Sequence, residues 1–286
     1  PLVWTLHDMW PFCGSEHISY ENRFQEGYTS LNNNSKIRGI DLDKWVWKRK
    51  KFFWKNPINI ITPSSHMAQC VKNSCLMKEW PVTVIPNAID TEFWKPIDMR
   101  ISRNILNLPN DCPLICFGAI GVNQYHKGFD ILKSSLKLLK NEIKDLRLIV
   151  FGQSRPKNDI DLGFPIHYTG YLNDEISLRL IYSSVNVLVV PSRFESFGQT
   201  ASEAQACGTP VVAFDFSGPK DIVCHKETGY LAKYCDDQDL AKGIKWTIDN
   251  QNKLKKKSRE NAIRKFSYKR VSSDHKKLYS KILESK

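Results

Sequence analysis

The sequence predicts an α/β protein of two domains with parallel, doubly wound sheets, the first of them incomplete. Apolar strand runs alternate with helical spacing in the second half, and the first hundred residues repeat this pattern more weakly. The 286 residues suffice for two ordinary domains. Residues 1–6 read as a buried strand, and because a domain rarely starts there, we expect upstream sequence to be missing. We therefore predict a partial first domain over 1–98, a second domain over 99–265, and a helix over 266–286 that packs back on the first domain.

The strand–helix pattern is clearest in the second domain. The continuous β-branched run at 185–190 is typical of a strand buried on both faces. Ligands of such sheets bind beyond the carboxyl ends of the strands, so the loops there are candidates for a site. In chain order, the predicted strands are 2–6, 58–62, 82–85, 114–118, 146–152, 166–170, 185–190 and 209–214. The predicted helices are 129–139, 174–184 with Asn173 or Asp174 as its cap, 199–207 and the basic tail 253–286, and a linker is expected over 96–104.

Composition and charge narrow the classes of protein. The formal net charge of +12 suits a polyanionic partner, which is nucleic acid, an anionic membrane surface or a phosphorylated substrate. The eight cysteines form no C-x-x-C pair, so we expect free, mostly buried thiols in a cytoplasmic protein rather than structural zinc. No apolar run of about 18 residues occurs, so no membrane-spanning helix is predicted.

The most informative stretch is 191–213, PSRFESFGQTASEAQACGTPVVA, which follows a buried strand and opens a helix. Glu195, Phe197 and Gly198 fall at the carboxyl edge of the sheet, where the N–H groups of the helix's first turn suit a diphosphate. Gly198 lets the backbone approach a ligand closely. Glu203 can accept two hydrogen bonds from a ribose diol. For an isolated pair of glutamates, the competing interpretation is an exposed Glu203 and a Glu195 that caps a helix.

The long pattern Pro-Ser-x-x-Glu-x-Phe-Gly, with a second Glu eight residues after the first and then Ala-x-Ala-x-Gly-Thr-Pro-Val-Val-Ala, resembles the donor-binding signature of family 4 retaining glycosyltransferases. The resemblance covers nearly the whole chain and implies the GT-B fold, with two Rossmann-like domains. It implies transfer of a sugar from a nucleotide-sugar donor to a saccharide or lipid-linked saccharide, without a metal or other cofactor. It also implies that a Gly-rich loop near the acceptor is absent here, so this fragment would bind donor better than it catalyses transfer.

Residues 118–130, GAIGVNQYHKGFD, match the first strand–loop–helix of the family's donor domain. The resemblance implies that Lys127 pairs with the donor pyrophosphate, where a cation stabilises the charge developing on the leaving group. Many relatives carry Arg directly after Gly118, whereas this chain has Ala119. His126 is therefore a candidate for the second positive charge.

Other segments of the donor domain carry weaker signals. Tyr171 lies in YTGYL, where relatives hold the nucleobase largely through backbone contacts. The remaining donor-binding candidates are Ser196, Phe197 and Gly118, with Asn87 in IPNAID and the loop 217–221, SGPKD, as lesser ones.

In the first domain, residues 5–12 read TLHDMWPF and place His7 and Asp8 directly after a strand. This resembles the members of the family that build bacterial exopolysaccharides, where a His at this place faces the donor sugar. Asp8 is expected to orient the imidazole of His7.

The mechanism implied by the resemblance retains the anomeric configuration. Lys127 and the amides near Gly198 would hold the leaving phosphate, and Glu195 and His7 would contact the donor sugar, which makes Glu195, His7 and Lys127 the catalytic set. Lys127, Gly198 and Glu203 are then expected to face one hollow.

Two D-x-D strings, at 41–43 and 159–161, resemble the metal signature of the other large glycosyltransferase fold. Such short strings arise often by chance, and Asp43 is expected to cap the helix that follows it. No metal site is predicted.

Residues 44–55, KWVWKRKKFFWK, combine six basic residues with five aromatic ones. The favoured interpretation is an amphipathic helix that packs its aromatic side chains onto the first sheet. The alternative is an interfacial helix on anionic lipid at the inner face of the plasma membrane. A nucleic-acid-binding module is disfavoured because no helix-turn-helix, zinc finger or RNP-like string occurs, and a non-catalytic nucleotide-sugar-binding protein remains the alternative to an enzyme.

Overall fold

The computed structural model describes residues 1–32, 39–118, 124–156 and 161–284. The chain divides into two compact units, one formed by Pro1–Pro86 with Ser273–Lys286 and the other by Asn87–Ser272. The boundary falls after Pro86, so residues 87–98, which the sequence suggested as the end of the first domain, group with the second unit.

The first unit contains a three-stranded parallel sheet in the order β1-β2-β3. Its elements are β1 (Val3–Thr5), α1 (Arg23–Glu26), α2 (Leu42–Phe53), β2 (Asn59–Thr62), α3 (Ser65–Asn73) and β3 (Val82–Val84). Thr5 pairs with Ile61, and the carboxyl ends of the strands therefore lie at one edge. The fully buried Ile60, Ile61, Met67 and Val71 contribute to the core of this unit.

Helix α2 begins two residues earlier than its sequence pattern suggested. Asp41, not Asp43, is the N-cap, and its carboxylate accepts a hydrogen bond from the backbone N of Lys44 at 3.0 Å. Asp41 also binds the Arg23 guanidinium at 2.5 Å. The carboxylate of Asp43 is used elsewhere, because it accepts from the backbone N and the hydroxyl of Ser15. Both aspartates of this D-x-D string thus serve protein contacts, and Asp159 of the other string lies outside the described residues.

The second unit contains a six-stranded, wholly parallel sheet in the order β6-β5-β4-β7-β8-β9. Its elements are α4 (Met99–Ile105), β4 (Leu114–Gly118), α5 (Phe129–Leu139), β5 (Arg147–Phe151), β6 (Ile166–Tyr168), α6 (Glu175–Ser184), β7 (Val187–Val190), α7 (Gln199–Ala206), β8 (Val211–Phe214), α8 (Ser217–Ile222), β9 (Gly229–Ala232) and α9 (Asp237–Phe266), and α10 (Tyr268–Glu284) follows. Strand β4 pairs with both β5 and β7. The chain adds β5 and β6 on one side of β4 and then adds β7, β8 and β9 on the other side, so the strand order reverses between β4 and β7. A crevice for a ligand is expected at this switch point, beyond the carboxyl ends of β4 and β7.

Both faces of this sheet are buried. In β7, Leu188 and Val190 belong to one buried cluster, whereas Val187 and Val189 belong to the cluster on the opposite face. This alternation agrees with the apolar run that predicted a doubly covered strand.

Two predicted segments differ from the structure. The expected linker over 96–104 contains α4, which Asp98 caps through hydrogen bonds to the backbone N of Arg100 and Ile101. The basic tail is helical as predicted, but Ser267 adopts an extended conformation that divides it between α9 and α10. In the described part of the chain, no helix is long and apolar enough to cross a bilayer.

Candidate functional site

A cavity of about 230 Å³ opens at the switch point of the six-stranded sheet. The ends of three neighbouring strands, β4, β5 and β7, form its floor. Its wall is mostly apolar with a few polar side chains, which is the usual composition of a small-molecule site. The lining residues are Phe117, Gly118, Lys127, Phe151, Gly152, Tyr171, Leu172, Leu178, Leu188, Val189, Val190, Pro191, Ser192, Glu195 and Thr200.

Lys127 and Glu195 meet in this cavity. The Lys127 ammonium lies 2.7 Å from Oε1 of Glu195, and the hydroxyl of Ser192 donates to the same carboxylate oxygen at 2.9 Å. The two charged side chains are 26% and 21% exposed, so they are only partly screened by solvent. The cavity therefore holds one cation and one anion that already neutralise each other.

Gly128 brings the turn that carries Lys127 against the end of β7. Its φ of +66° is left-handed, and a Cβ atom at this position would lie 1.9 Å from the carbonyl oxygen of Pro191. Only glycine fits this close approach. In the Lys-Gly pair of the sequence motif, Lys127 therefore supplies the charge and Gly128 is required for steric reasons.

Arg193 also holds this turn in place. The sequence did not predict a role for this residue. Its guanidinium forms a two-pronged salt bridge with Asp130 at 2.8 and 2.5 Å and donates to the carbonyl of Tyr125 at 2.8 Å. Its backbone N donates to the carbonyl of His126 at 2.7 Å. The salt bridge raises the pKa of Arg193 and lowers that of Asp130. Arg193 therefore positions Lys127 without lining the cavity itself.

The backbone of Glu195 is held by the first two residues of α8. Its N–H donates to the hydroxyl of Ser217 at 3.2 Å, and its carbonyl accepts from the N–H of Gly218 at 2.9 Å. The SGPKD segment, suggested by the sequence as a lesser donor loop, thus supports Glu195.

Glu203 lies outside the lining of the cavity, three residues beyond Thr200, which belongs to it. Its carboxylate accepts a hydrogen bond from the hydroxyl of the fully buried Tyr182 at 3.1 Å. Burial raises the pKa of Glu203 to about 7. Of the three residues expected to face one hollow, Lys127 lines the cavity, whereas Gly198 and Glu203 do not. Glu195 lines the cavity together with Lys127.

The remaining residues of the 191–213 motif divide between core and backbone roles. The ring of Phe197 is buried and packs edge-on against Phe266 at 5.6 Å, so its side chain belongs to the core. Gly198, with φ +102°, starts α7, whose first turn contributes Thr200 to the cavity. Ser196 is half-buried and outside the lining.

Gly118 and Tyr171 line the cavity, whereas His126 and Asn87 do not. Burial and the neighbouring Lys127 lower the pKa of His126, so this imidazole favours its neutral form and is a poor second cation. Ala119 lies outside the described residues.

In the first unit, His7 is exposed just beyond β1. The carboxylate of Asp8 pairs with Nδ1 of His17 at 2.7 Å and accepts from the backbone N of Trp10 at 3.0 Å. Asp8 therefore orients His17, and not His7 as predicted. The reason is that the chain folds back here, and the N–H of Met9 donates to the carbonyl of His17 at 3.0 Å.

Lys50 of α2 anchors this folded-back loop. Its buried ammonium donates to the carbonyls of Trp10, Cys13 and Gly14, the last at 2.6 Å, and lies 3.8 Å from the centre of the Trp10 ring. Burial lowers the pKa of Lys50 to about 8. One of the six basic residues of the 44–55 segment is thus an internal structural cation.

The cysteines are all free thiols, and four of the eight are buried. Burial raises the pKa of Cys70 to about 11, so its thiol stays protonated and unreactive. Among the described residues, no group of three or more His, Cys, Asp or Glu side chains is arranged to hold a metal ion.

The geometry of the cavity suits a ligand with an anionic and a ring-shaped part. Lys127 and the start of α7 favour phosphate oxygens, Glu195 accepts hydrogen bonds from hydroxyl groups, and the apolar wall accommodates a flat ring. A doubly wound parallel sheet with a cavity at its switch point is the arrangement of the Rossmann-like α/β domains.

Within that class, the chain belongs to the glycosyl transferases group 1 family, whose family model matches residues 98–265. The glycosyltransferase family 4 model matches residues 1–93. These matches confirm the family resemblance of the sequence motifs at the level of the glycosyltransferase family.

Known proteins share parts of the chain. It is 35% identical over 166 residues to a D-inositol 3-phosphate glycosyltransferase of Xylanimonas cellulosilytica, which is 52% of this chain and 39% of that protein. It is 28% identical over 206 residues to the capsular polysaccharide biosynthesis glycosyltransferase CapM of Staphylococcus aureus, covering 68% of this chain and 53% of that one. The chain thus spans about half or less of the length of these relatives.

The crystal structure of Anabaena HepE in complex with UDP-glucose superposes with a TM-score of 0.70 at 19% identity, covering 98% of this chain and 72% of that one. At this identity the likeness concerns the fold alone. Together with the family matches, it confirms the predicted α/β fold of the GT-B glycosyltransferase type.

Proposed function

We propose that the whole protein is a retaining glycosyltransferase. It moves a sugar from a nucleotide-diphosphate sugar to a saccharide or lipid-linked saccharide in the synthesis of a cell-surface polysaccharide. The observation that carries the proposal is the Lys127–Glu195 pair in a mostly apolar cavity at the switch point of the donor-side sheet. The names of the relatives support the reaction class, since one acts on an inositol phosphate and another serves capsular polysaccharide synthesis.

In this proposal, each part of the donor binds to different residues. The diphosphate takes the Lys127 ammonium and the amides at the start of α7, near Gly198, while Glu195 accepts hydrogen bonds from the donor sugar. The nucleoside rests on the apolar wall near Gly118 and Tyr171, and its ribose diol binds Glu203, with Ser196 and His126 in supporting positions. The contact of His7 with the donor sugar rests on the family resemblance.

The bond changes need no metal or other cofactor in this scheme. The acceptor hydroxyl attacks the anomeric carbon from the face that the diphosphate leaves, so the new bond to the acceptor oxygen replaces the bond to the phosphate oxygen. The hydroxyl proton passes to the departing diphosphate oxygen, and Lys127 stabilises the negative charge that develops there. Because a lipid-linked acceptor presents its saccharide at a bilayer, we place the reaction at the cytoplasmic face of the plasma membrane.

The experiment is a thermal-shift and calorimetric screen of this chain against UDP, GDP, ADP and their sugars. At least one nucleotide should stabilise the wild type and K137A, a control that removes an exposed lysine of α5, and the shift should be lost in K127A. If no nucleotide binds, or if K127A responds like the wild type, the site is assigned wrongly. Binding by the full-length protein without transfer to any acceptor would instead favour the non-catalytic nucleotide-sugar-binding protein.

A further inference from the structure

Helix α2 divides its aromatic residues between two faces. Trp47 is buried, and Trp54, just after the helix, packs edge-on against Trp4 at 5.3 Å. Trp45, Phe52 and Phe53 are instead 53%, 64% and 65% exposed. The packing that the sequence favoured therefore accounts for one face of the helix only.

The exposed residues lie on one side because they are spaced by helical turns. The spacing is about one helical turn from Trp45 to Arg49 and again from Arg49 to Phe52 and Phe53. Leu42, which is 55% exposed, extends this row at the start of the helix. We call this row, Leu42, Trp45, Lys48, Arg49, Phe52 and Phe53, the α2 face. Single exposed apolar residues need no explanation, but four on one side of one helix form a patch.

The charge of the α2 face has one sign. Residues 42–55 contain one acidic residue, Asp43, and its carboxylate is bound to Ser15 on the opposite side of the helix. Lys48 and Arg49 are exposed within the face. A surface of bulky aromatic and aliphatic groups among cations, without a counter-charge, complements an anionic partner with an apolar interior.

The ring faces are covered by the protein's own cations. The Arg49 guanidinium lies 4.9 Å from the ring centre of Trp45 and 5.8 Å from that of Phe53, and the Lys55 ammonium lies 5.1 Å from that of Phe52. A single-stranded nucleic acid would need these faces for base stacking. Insertion into lipid needs only that the ring edges enter the acyl region while the cations stay among the headgroups.

We propose that the α2 face is a docking surface for an anionic lipid bilayer, which it binds by inserting Trp45, Phe52 and Phe53 while Lys48 and Arg49 contact the headgroups. This surface deepens the proposed function, because it rests on a lipid-linked acceptor and names the contact that brings the enzyme to it. Lys127 and Glu195 belong to the other unit, so substitutions in the α2 face leave the donor-site residues unchanged.

The experiment measures co-flotation of this chain with vesicles of phosphatidylcholine alone and with about 30% phosphatidylglycerol added. Wild type should bind the anionic vesicles and not the neutral ones, and binding should fall as salt is raised. Two variants test the two halves of the face: W45A/F52A/F53A removes the inserted rings, and K48E/R49E reverses the charge. Each should weaken vesicle binding by about tenfold or more.

Matched controls change the same chemistry elsewhere. I101A/I105A/L138A removes exposed apolar side chains of α4 and α5, and K137E/K253E reverses two exposed lysines of α5 and α9. Both should bind vesicles like the wild type. Because all these side chains are exposed, each variant should keep the wild-type circular dichroism spectrum and melting behaviour.

Several results would overturn the proposal: no binding to anionic vesicles, equal binding by face and control variants, or DNA binding that depends on the face in the absence of vesicle binding. The donor site is tested in the same samples, since the α2 variants should keep any thermal shift caused by nucleotides. Wild-type protein that responds to nucleotides but does not bind anionic vesicles refutes the docking surface alone. Wild-type protein that binds the vesicles through the α2 face but responds to no nucleotide refutes the donor site alone.

Discussion

At the scale of single residues, the ion pair between Lys127 and Glu195 sets the cost of binding the proposed diphosphate. The two groups lie 2.7 Å apart and are both less than a third exposed, so a diphosphate has to draw the ammonium away from the carboxylate. The pair holds both side chains in place without a ligand. Breaking the ion pair costs free energy, which weakens the binding of the phosphate to Lys127.

Removing the charge of Glu195 should therefore separate binding from transfer. In E195Q, the amide keeps the hydroxyl of Ser192 as a partner but releases Lys127, and a partly exposed ion pair of this kind contributes about 1 kcal/mol. We expect the nucleoside diphosphate without sugar to bind about threefold to tenfold tighter by calorimetry, while sugar transfer by the full-length protein falls. E227Q, an exposed glutamate outside the site, should change neither. Weaker diphosphate binding in E195Q would show that the carboxylate does not restrain Lys127.

Glu203 should give donor binding a pH dependence. Its pKa of about 7 in the folded protein lies above its ordinary value, so the side chain takes up a proton as the pH falls through 7. In the proposed ribose contact, only the ionised form accepts from both hydroxyls, so donor affinity should rise as the pH is raised from 6 to 8. The free energy of unfolding should move the other way, because between the ordinary pKa and 7 the folded state binds more protons than the unfolded state. E203Q should flatten both profiles, and a wild-type profile without a step near 7 would remove Glu203 from the ribose site.

At the scale of elements, the site depends on how the turn before α5 meets the end of β7. Gly128 lets the two backbones touch, and Arg193 ties the turn down through Asp130 and the carbonyl of Tyr125. The position of the Lys127 ammonium is therefore set by a contact between segments more than sixty residues apart.

Substituting Gly128 should break this contact. In G128A, the new methyl group would lie 1.9 Å from the carbonyl oxygen of Pro191, and the left-handed φ adds strain. We expect the free energy of unfolding to drop by more than about 2 kcal/mol in denaturant melts, and nucleotide binding to be lost. G163A is the matched control, since its φ is +79° but its nearest neighbour is the flexible end of Lys140 at 3.4 Å. It should lose only about 1 kcal/mol. Equal losses in the two variants would mean that strain at φ, and not the contact with β7, makes Gly128 necessary.

The sequence predicted these elements well where the signal was local and poorly where it was not. The apolar runs placed five of the six strands of the second unit's sheet within about two residues, as expected from side-chain periodicity, whereas β9 was not predicted. The role of Arg193 could not be predicted, because its partner Asp130 comes close only when β4 and β7 become neighbours. The cap of α2 was predicted wrongly because it also depends on a residue distant in the sequence: the carboxylate of Asp43 accepts a hydrogen bond from Ser15 and does not cap the helix. Likewise, the pairing of Asp8 with His17 depends on a loop that closes through Lys50.

At the scale of the whole molecule, the second unit is self-contained. Both faces of its sheet are covered by helices from residues 87–272, and its two buried clusters draw their members from that range alone. The bridge between Ile89 and Ser267 joins the two ends of the unit, with the N–H of Ile89 donating to the carbonyl of Phe266 at 2.9 Å. Every residue that lines the cavity also belongs to this unit.

A fragment of residues 87–272 should therefore fold alone and keep the nucleotide site. We expect one cooperative thermal transition, and a nucleotide-induced shift equal to that of the whole chain, because a ligand stabilises only the state that holds its site. A fragment that starts at residue 99, where the sequence placed the domain boundary, lacks Ile89 and the buried Trp94 and is the informative comparison. It should melt at a lower temperature, since it exposes the cluster in which both residues are buried. If the longer fragment folds but no longer binds a nucleotide that the whole chain binds, the first unit contributes to donor binding, and the assignment of the site to the β4–β7 cavity alone is wrong.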